Sequence, residues 1–124
     1  MAHVAQNRER RPLEPNEQEL IEVLLGAARS GIFRYIGQLE KLEVVGACGC
    51  GCSSINLELP SGGREGRPVP LVMADGESSD GTPVGVILWA RGGALSGLEV
   101  HSWDSRETVS LPRPESLTNL RAGD

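Results

Sequence analysis

Three thiols on alternate residues, Cys48, Cys50 and Cys52, spaced by Gly49 and Gly51, are the residues of this chain whose types and spacing could do chemistry at short range. Read as a strand, Leu42, Val44, Gly46, Cys48, Cys50 and Cys52 share one face, and Glu43 marks the other as wet, so the thiols continue an inward apolar row. Free cysteine packs as a small hydrophobe, and burial is the expectation. Read as a loop, the glycines free the backbone, and three thiolates could converge on a soft ion such as zinc. The spacing is tighter than the Cys-x(2–4)-Cys of a zinc knuckle. Alternate strand residues stand about 6.5 to 7 Å apart, whereas thiolates on one zinc each lie about 2.3 Å from it. A zinc site therefore needs the loop form and a fourth ligand, for which His101 is the candidate. A third chemistry makes one thiol a redox centre or nucleophile, with His101 as base, oriented by Glu99 or Asp104.

The elements that must position these groups start with a helix. Asn16 is placed to accept from the amide of Glu19, and Leu20, Ile21, Leu24, Leu25 and Ala28 form one apolar stripe ended at Ser30-Gly31. A second helix is expected from Ile32 to about Lys41, with Ile32, Tyr35, Ile36 and Leu39 as its stripe. Its Gly37 weakens it by about 1 kcal/mol against alanine.

Ile55, Leu57 and Leu59 alternate with polar neighbours, which predicts a strand paired back on the cysteine stretch through a loop within Gly49 to Ser53. Pro60 to Pro68 reads as a flexible connection, and its glycines and arginines lack the strand-to-helix context of a phosphate cradle. Val69 to Ala74 reads as an edge strand because of Pro70. Asp75 to Thr82 reads as a solvated loop whose acids do not match a calcium-binding register. Gly92-Gly93 between two apolar runs predicts a two-residue primed turn. Counting outward pairs Arg91 with Ala94, Ala90 with Leu95, Leu88 with Gly97, Val86 with Glu99 and Val84 with His101. Glu99 and His101 then lie together beside valines, opposite a core face of Ile87, Trp89, Leu98 and Val100. Leu111, Leu117 and Leu120 let the end of the chain fold back, with a short helix starting at Pro114.

The expected fold is α+β: two N-terminal helices packed on one face of an antiparallel sheet of about four to five strands, arranged as a hairpin meander. Residues 1–14 are expected as a mobile tail, 15–104 as one domain and 105–124 as an irregular C-terminal tail. The chain has 124 residues, enough for a single core. A net charge of -5 argues against nucleic acid as the partner, for which a basic patch is the footprint. No run of apolar residues is long enough to cross a membrane, and Met1 to Arg11 lacks the apolar core of a secretory signal. An odd, crowded set of cysteines suits poorly the Cα separation of about 5.5 Å that a disulfide needs, so reduced thiols and a cytoplasmic location are expected.

Val44-Val45-Gly46-Ala47-Cys48-Gly49-Cys50-Gly51-Cys52, followed by Ile55-Asn56-Leu57, resembles a segment of small uncharacterised bacterial proteins with the same order of helices, cysteine–glycine run, hairpin and proline-rich end. The resemblance spans about residues 17 to 115 and implies a fold unit and a bacterial cytoplasm, while transferring no activity and no site.

Together these readings predict a non-enzymatic protein without cofactor that acts by contact with a protein partner or as a homodimer, with no catalytic residue. The alternative is a zinc protein using Cys48, Cys50, Cys52 and His101, and the second alternative is a thiol enzyme.

Overall fold

In the computed structural model the described residues are 10–27, 32–47, 54–61, 65–103 and 110–123. The three cysteines, Ser30-Gly31 and Asp104 lie outside them, so the expectations resting on those residues do too.

Helix α1 runs Pro15–Leu25 and α2 Ile32–Ile36. Strands β1 (Arg11–Pro12), β2 (Glu43–Ala47), β3 (Ile55–Glu58), β4 (Val69–Glu77), β5 (Pro83–Arg91), β6 (Ala94–Ser102) and β7 (Thr118–Ala122) form one sheet in the order β1-β2-β3-β6-β5-β4-β7, every pair antiparallel. The α+β class stands. The sheet, however, has seven strands where four to five were expected, and it is not a simple meander. β4, β5 and β6 follow one another as hairpins, but β3 pairs with β6, so the connection from β3 to β4 crosses two strands in Greek-key fashion.

α1 begins two residues earlier than its polar residues imply. Glu14, not Asn16, is the N-cap, with Pro15 at the first helical position. The Glu17 carboxylate reaches back to the Glu14 amide at 2.9 Å and takes both arms of the Arg11 guanidinium at 2.9 Å. Burial alone would raise the Glu17 pKa, but the hydrogen bonds from Arg11 and from the Glu14 amide outweigh it and hold the carboxyl below its ordinary value. Arg11 belongs to β1, paired with Val44, so this ion pair ties the sheet edge to the helix start. α2 stops at Ile36, before Gly37, and the chain continues as turns to Lys41. Tyr35 and Leu39 turn inward while Ile36 is exposed.

The buried side chains Leu20, Ile21, Leu24 and Leu25 of α1 join Tyr35, Leu39 and alternate strand residues in one core. On β5 these are Val84, Val86, Leu88 and Ala90, not the expected Ile87 and Trp89. The turn explains the difference. Gly92 and Gly93 both have positive φ, 59° and 83°, as a primed turn requires, and Arg91↔Ala94 and Ala90↔Leu95 pair as expected. Ser96 then bulges out, so Trp89 pairs with Gly97, Leu88 with Leu98 and Val86 with Val100. One unpaired residue shifts the count beyond it, bringing Leu98 and Val100 into register with the even residues of β5.

Two side chains complete the free edge of β6 on either side of its short pairing with β3. Gln38 donates to the Gly93 carbonyl at 2.9 Å and accepts from the Leu95 amide at 3.0 Å. The Ser54 hydroxyl donates to the Val100 carbonyl at 3.1 Å and accepts from its amide at 2.8 Å. Backbone groups that a neighbouring strand would have satisfied are thereby paired.

Two stretches outside the expected 15–104 domain take part in the sheet. Arg11–Pro12 pairs with β2, and Thr118–Ala122 pairs with β4 after a 3-10 turn at Pro114–Ser116. Leu111 and Leu117 pack against the core, as their spacing predicts, while Leu120 is exposed. β4 is therefore interior and reaches Glu77, so Asp75 and Glu77 belong to a strand rather than to the expected loop. Pro70 is tolerated because it lies beyond Val72↔Ala122, the last pair of β7.

Candidate functional site

β3 and β6 pair at only two positions, Ile55↔Leu98 and Asn56↔Gly97. Where the Ser96 bulge begins, the ladder ends, and the two strands part over a groove of about 500 Å³ on the sheet face away from the core. That volume falls in the range of about 300 to 1,000 Å³ common to binding sites. Leu57 and Leu95, both buried, form its floor, and Trp89 forms a wall.

The charges around the groove are not equivalent. Glu58 stands directly opposite Glu43 across β2 and β3, a pairing that is unfavourable between like charges. Arg10 bridges them, at 2.5 Å to Glu58 and 2.6 Å to Glu43, and its pKa is raised first by the Glu43 hydrogen bond. Glu99 accepts from the Trp89 indole at 3.0 Å, which fixes the ring against the groove. Arg91, at the last position of β5, has no such partner: its Nε is buried and unbonded among the described residues. A buried donor left unsatisfied costs about 1 to 3 kcal/mol.

His101 lies on the same sheet face but outside the groove. Its ring covers Gly85, where a Cβ would come within 2.5 Å of Nε2, and its centroid is 4.7 Å from that of Trp103 in an edge-to-face contact. Its Nδ1 is buried and unpartnered among the described residues. Glu99, expected to orient this imidazole, is instead bonded to Trp89, because the bulge sets Glu99 against Ile87 and His101 against Gly85 rather than against valines. The described residues contain no group of three or more potential metal ligands, and Cys48, Cys50 and Cys52 are not among them.

A second cavity of about 540 Å³ lies between the start of α1 and Ser110–Pro114, but its charged side chains Arg11 and Glu17 are already paired with each other. Sequence reasoning passed over Trp89 and Arg91 as site residues. The signal was present: both precede the Gly-Gly turn at a spacing of two, which puts an indole and a guanidinium side by side on one strand face. Compared with protein families, with curated proteins and with solved structures, the chain matches none.

Proposed function

We propose that this is a non-enzymatic module that acts by contact with another protein, and that the groove between β3 and β6 is its contact surface. The observation that carries this reading is the pairing of an apolar floor and an indole wall with an arginine left unbonded at Nε. Aromatic and arginine side chains beside an apolar patch are what protein interfaces concentrate. A guanidinium stays charged at any physiological pH, so Arg91 suits holding a partner better than moving a proton. The partner is either a second copy or a different chain in the cytoplasm of the producing cell.

Site-specific photo-crosslinking tests this. A photoreactive side chain in place of Ser96, on the groove, should give discrete adducts in the producing cells, whereas one in place of Glu19, exposed on α1, should not. Equal adducts from both positions, or none from Ser96, would contradict the reading.

A second reading, a zinc site on Cys48, Cys50, Cys52 and His101, is favoured by one observation. Ser54, which follows the cysteine run by two residues, is bonded to Val100, the neighbour of the unpartnered imidazole. Elemental analysis of the purified protein decides it: stoichiometric zinc that is lost in His101→Ala supports the site, and its absence from wild type excludes it.

A further inference from the structure

Resting on the reading of the groove as a protein-contact surface, we infer that it takes a basic side chain, lysine or arginine, from an extended segment of the partner with an apolar residue beside it. Glu99 carries the inference. It lines the groove and is exposed, and among the described residues its carboxylate accepts from the Trp89 indole at 3.0 Å and forms no ion pair. A neutral N–H orients a carboxylate without supplying a counter-charge.

The other charges of the groove lie at its far end and balance one another there. Arg91 is four residues along β5 from Ile87, the partner of Glu99, which is about 13 Å at 3.3 Å per residue. Glu58 follows Asn56, the residue level with Trp89, by two toward that same end, and with Glu43 it holds Arg10. Two carboxylates therefore stand with two guanidiniums. Across the sheet, Arg121 is three strands away in the row Arg121, Met73, Ile87, Glu99, about 14 Å at 4.7 to 4.9 Å per strand. Exposed charges more than about 8 Å apart are largely screened at physiological ionic strength. His101, the next residue on this face, is turned onto Gly85 and Trp103. Glu99 is thereby left as a local negative charge, in a chain whose net charge of -5 favours basic partners at long range.

The surfaces beside it fit the rest of such a side chain. With its N–H given to Glu99, the indole offers a partner its apolar ring, and tryptophan is the best of the aromatic side chains for a cation. Lysine and arginine lay an alkyl stem on apolar surface while the charged head stays wet, so the stem lies on Trp89 and the head meets the exposed carboxylate. The floor of Leu57 and Leu95 takes the apolar neighbour. An acidic side chain would meet Glu99 with like charge.

Three blocked peptides that differ only at their centre, Leu-Lys-Leu, Leu-acetyllysine-Leu and Leu-Glu-Leu, test this against Trp103→Phe protein, in which Trp89 is the remaining tryptophan of the original two. Acetylation removes the charge and keeps the stem. Trp89 fluorescence should respond to the lysine peptide with an affinity at least about tenfold above that for the acetyllysine peptide. Glu99→Gln, which keeps an acceptor for the indole without the charge, should abolish that preference. Equal binding of the lysine and acetyllysine peptides, tighter binding of the glutamate peptide, or a preference that survives Glu99→Gln overturns the basic assignment while leaving the contact surface in place. A silent Trp89 with all three peptides overturns the assignment as well, and together with no adduct from a photoreactive group at Ser96 it overturns the contact surface too.

Discussion

The two faces of β5 differ more than two halves of one strand usually do. On one face Val84, Val86, Leu88 and Ala90 are at most 2% exposed, closing the core with Leu98 and Val100. On the other, Gly85, Ile87, Trp89 and Arg91 face Glu99, His101 and a groove, carrying an indole, an imidazole and charges in place of a second apolar layer. An antiparallel sheet commonly keeps one face dry and the other wet. Here the wet face holds two buried nitrogens without partners among the described residues, Arg91 Nε and His101 Nδ1, while the core face is apolar throughout β5. The core face accounts for the fold, and the polar mismatch of the outer face is what the proposed contact surface rests on.

Neighbouring truncations should expose this asymmetry most strongly. Leu88→Ala should cost about 3 kcal/mol, as a large-to-small change in a closed core, whereas Ile87→Ala, one residue away, should cost less than about 1 kcal/mol. Denaturant unfolding of both variants measures the gap, and similar losses would erase the distinction between the faces.

A smaller effect is expected where β1 meets α1. Glu17 is held below its ordinary pKa, so its contribution is fully present above the unfolded value of about 4.5 and is lost as pH falls through the lower folded value. Arg11→Ala leaves that carboxylate buried without its partner. A broken buried pair costs about 3 to 5 kcal/mol, but Arg11 is 40% exposed and solvent-screened, so about 1 to 2 kcal/mol is expected at pH 7. The difference between variant and wild type should shrink on acidification below about pH 4.5 as Glu17 becomes protonated. A gap that is constant from pH 7 to pH 3 would contradict the ion pair.

The smallest stability change should come from the residue that misled the sequence count. Deleting Ser96 turns the hairpin into a regular ladder that preserves Ala90↔Leu95, Trp89↔Gly97 and Leu88↔Leu98, so the core face survives. The loss should stay within about 1 kcal/mol. The groove depends on the bulge, so partner binding at Trp89 should disappear. Binding that persists after the deletion would show that the bulge does not shape the surface.

Elements with strong local signals were legible before any coordinates. The Gly92-Gly93 turn, the Leu20, Ile21, Leu24 and Leu25 stripe and the inward Ile55 and Leu57 all follow from periodicity and turn chemistry. The register of β6 was not legible, because Ser96 carries no local mark of a bulge and one inserted residue reverses the faces beyond it. β1 and β7 escaped for another reason. Arg11–Pro12 and Thr118–Ala122 lack apolar alternation and join the sheet through backbone pairing at its two edges. The groove was half legible, since Trp89 and Arg91 share a face in any strand, while the parting of β3 from β6 depends on pairing between distant segments.

Side-chain NMR tests the central claim most directly, by following the indole N–H signals of Trp89 and Trp103 and the Nε–H of Arg91 during titration with the partner chain that a photoreactive group at Ser96 captures. Trp103 is 57% exposed and lies outside the groove, which makes it the internal control. Trp89 and Arg91 should shift together and saturate while Trp103 stays in place. Three unmoved signals, or a Trp103 that moves as far as Trp89, would contradict a groove built for recognition.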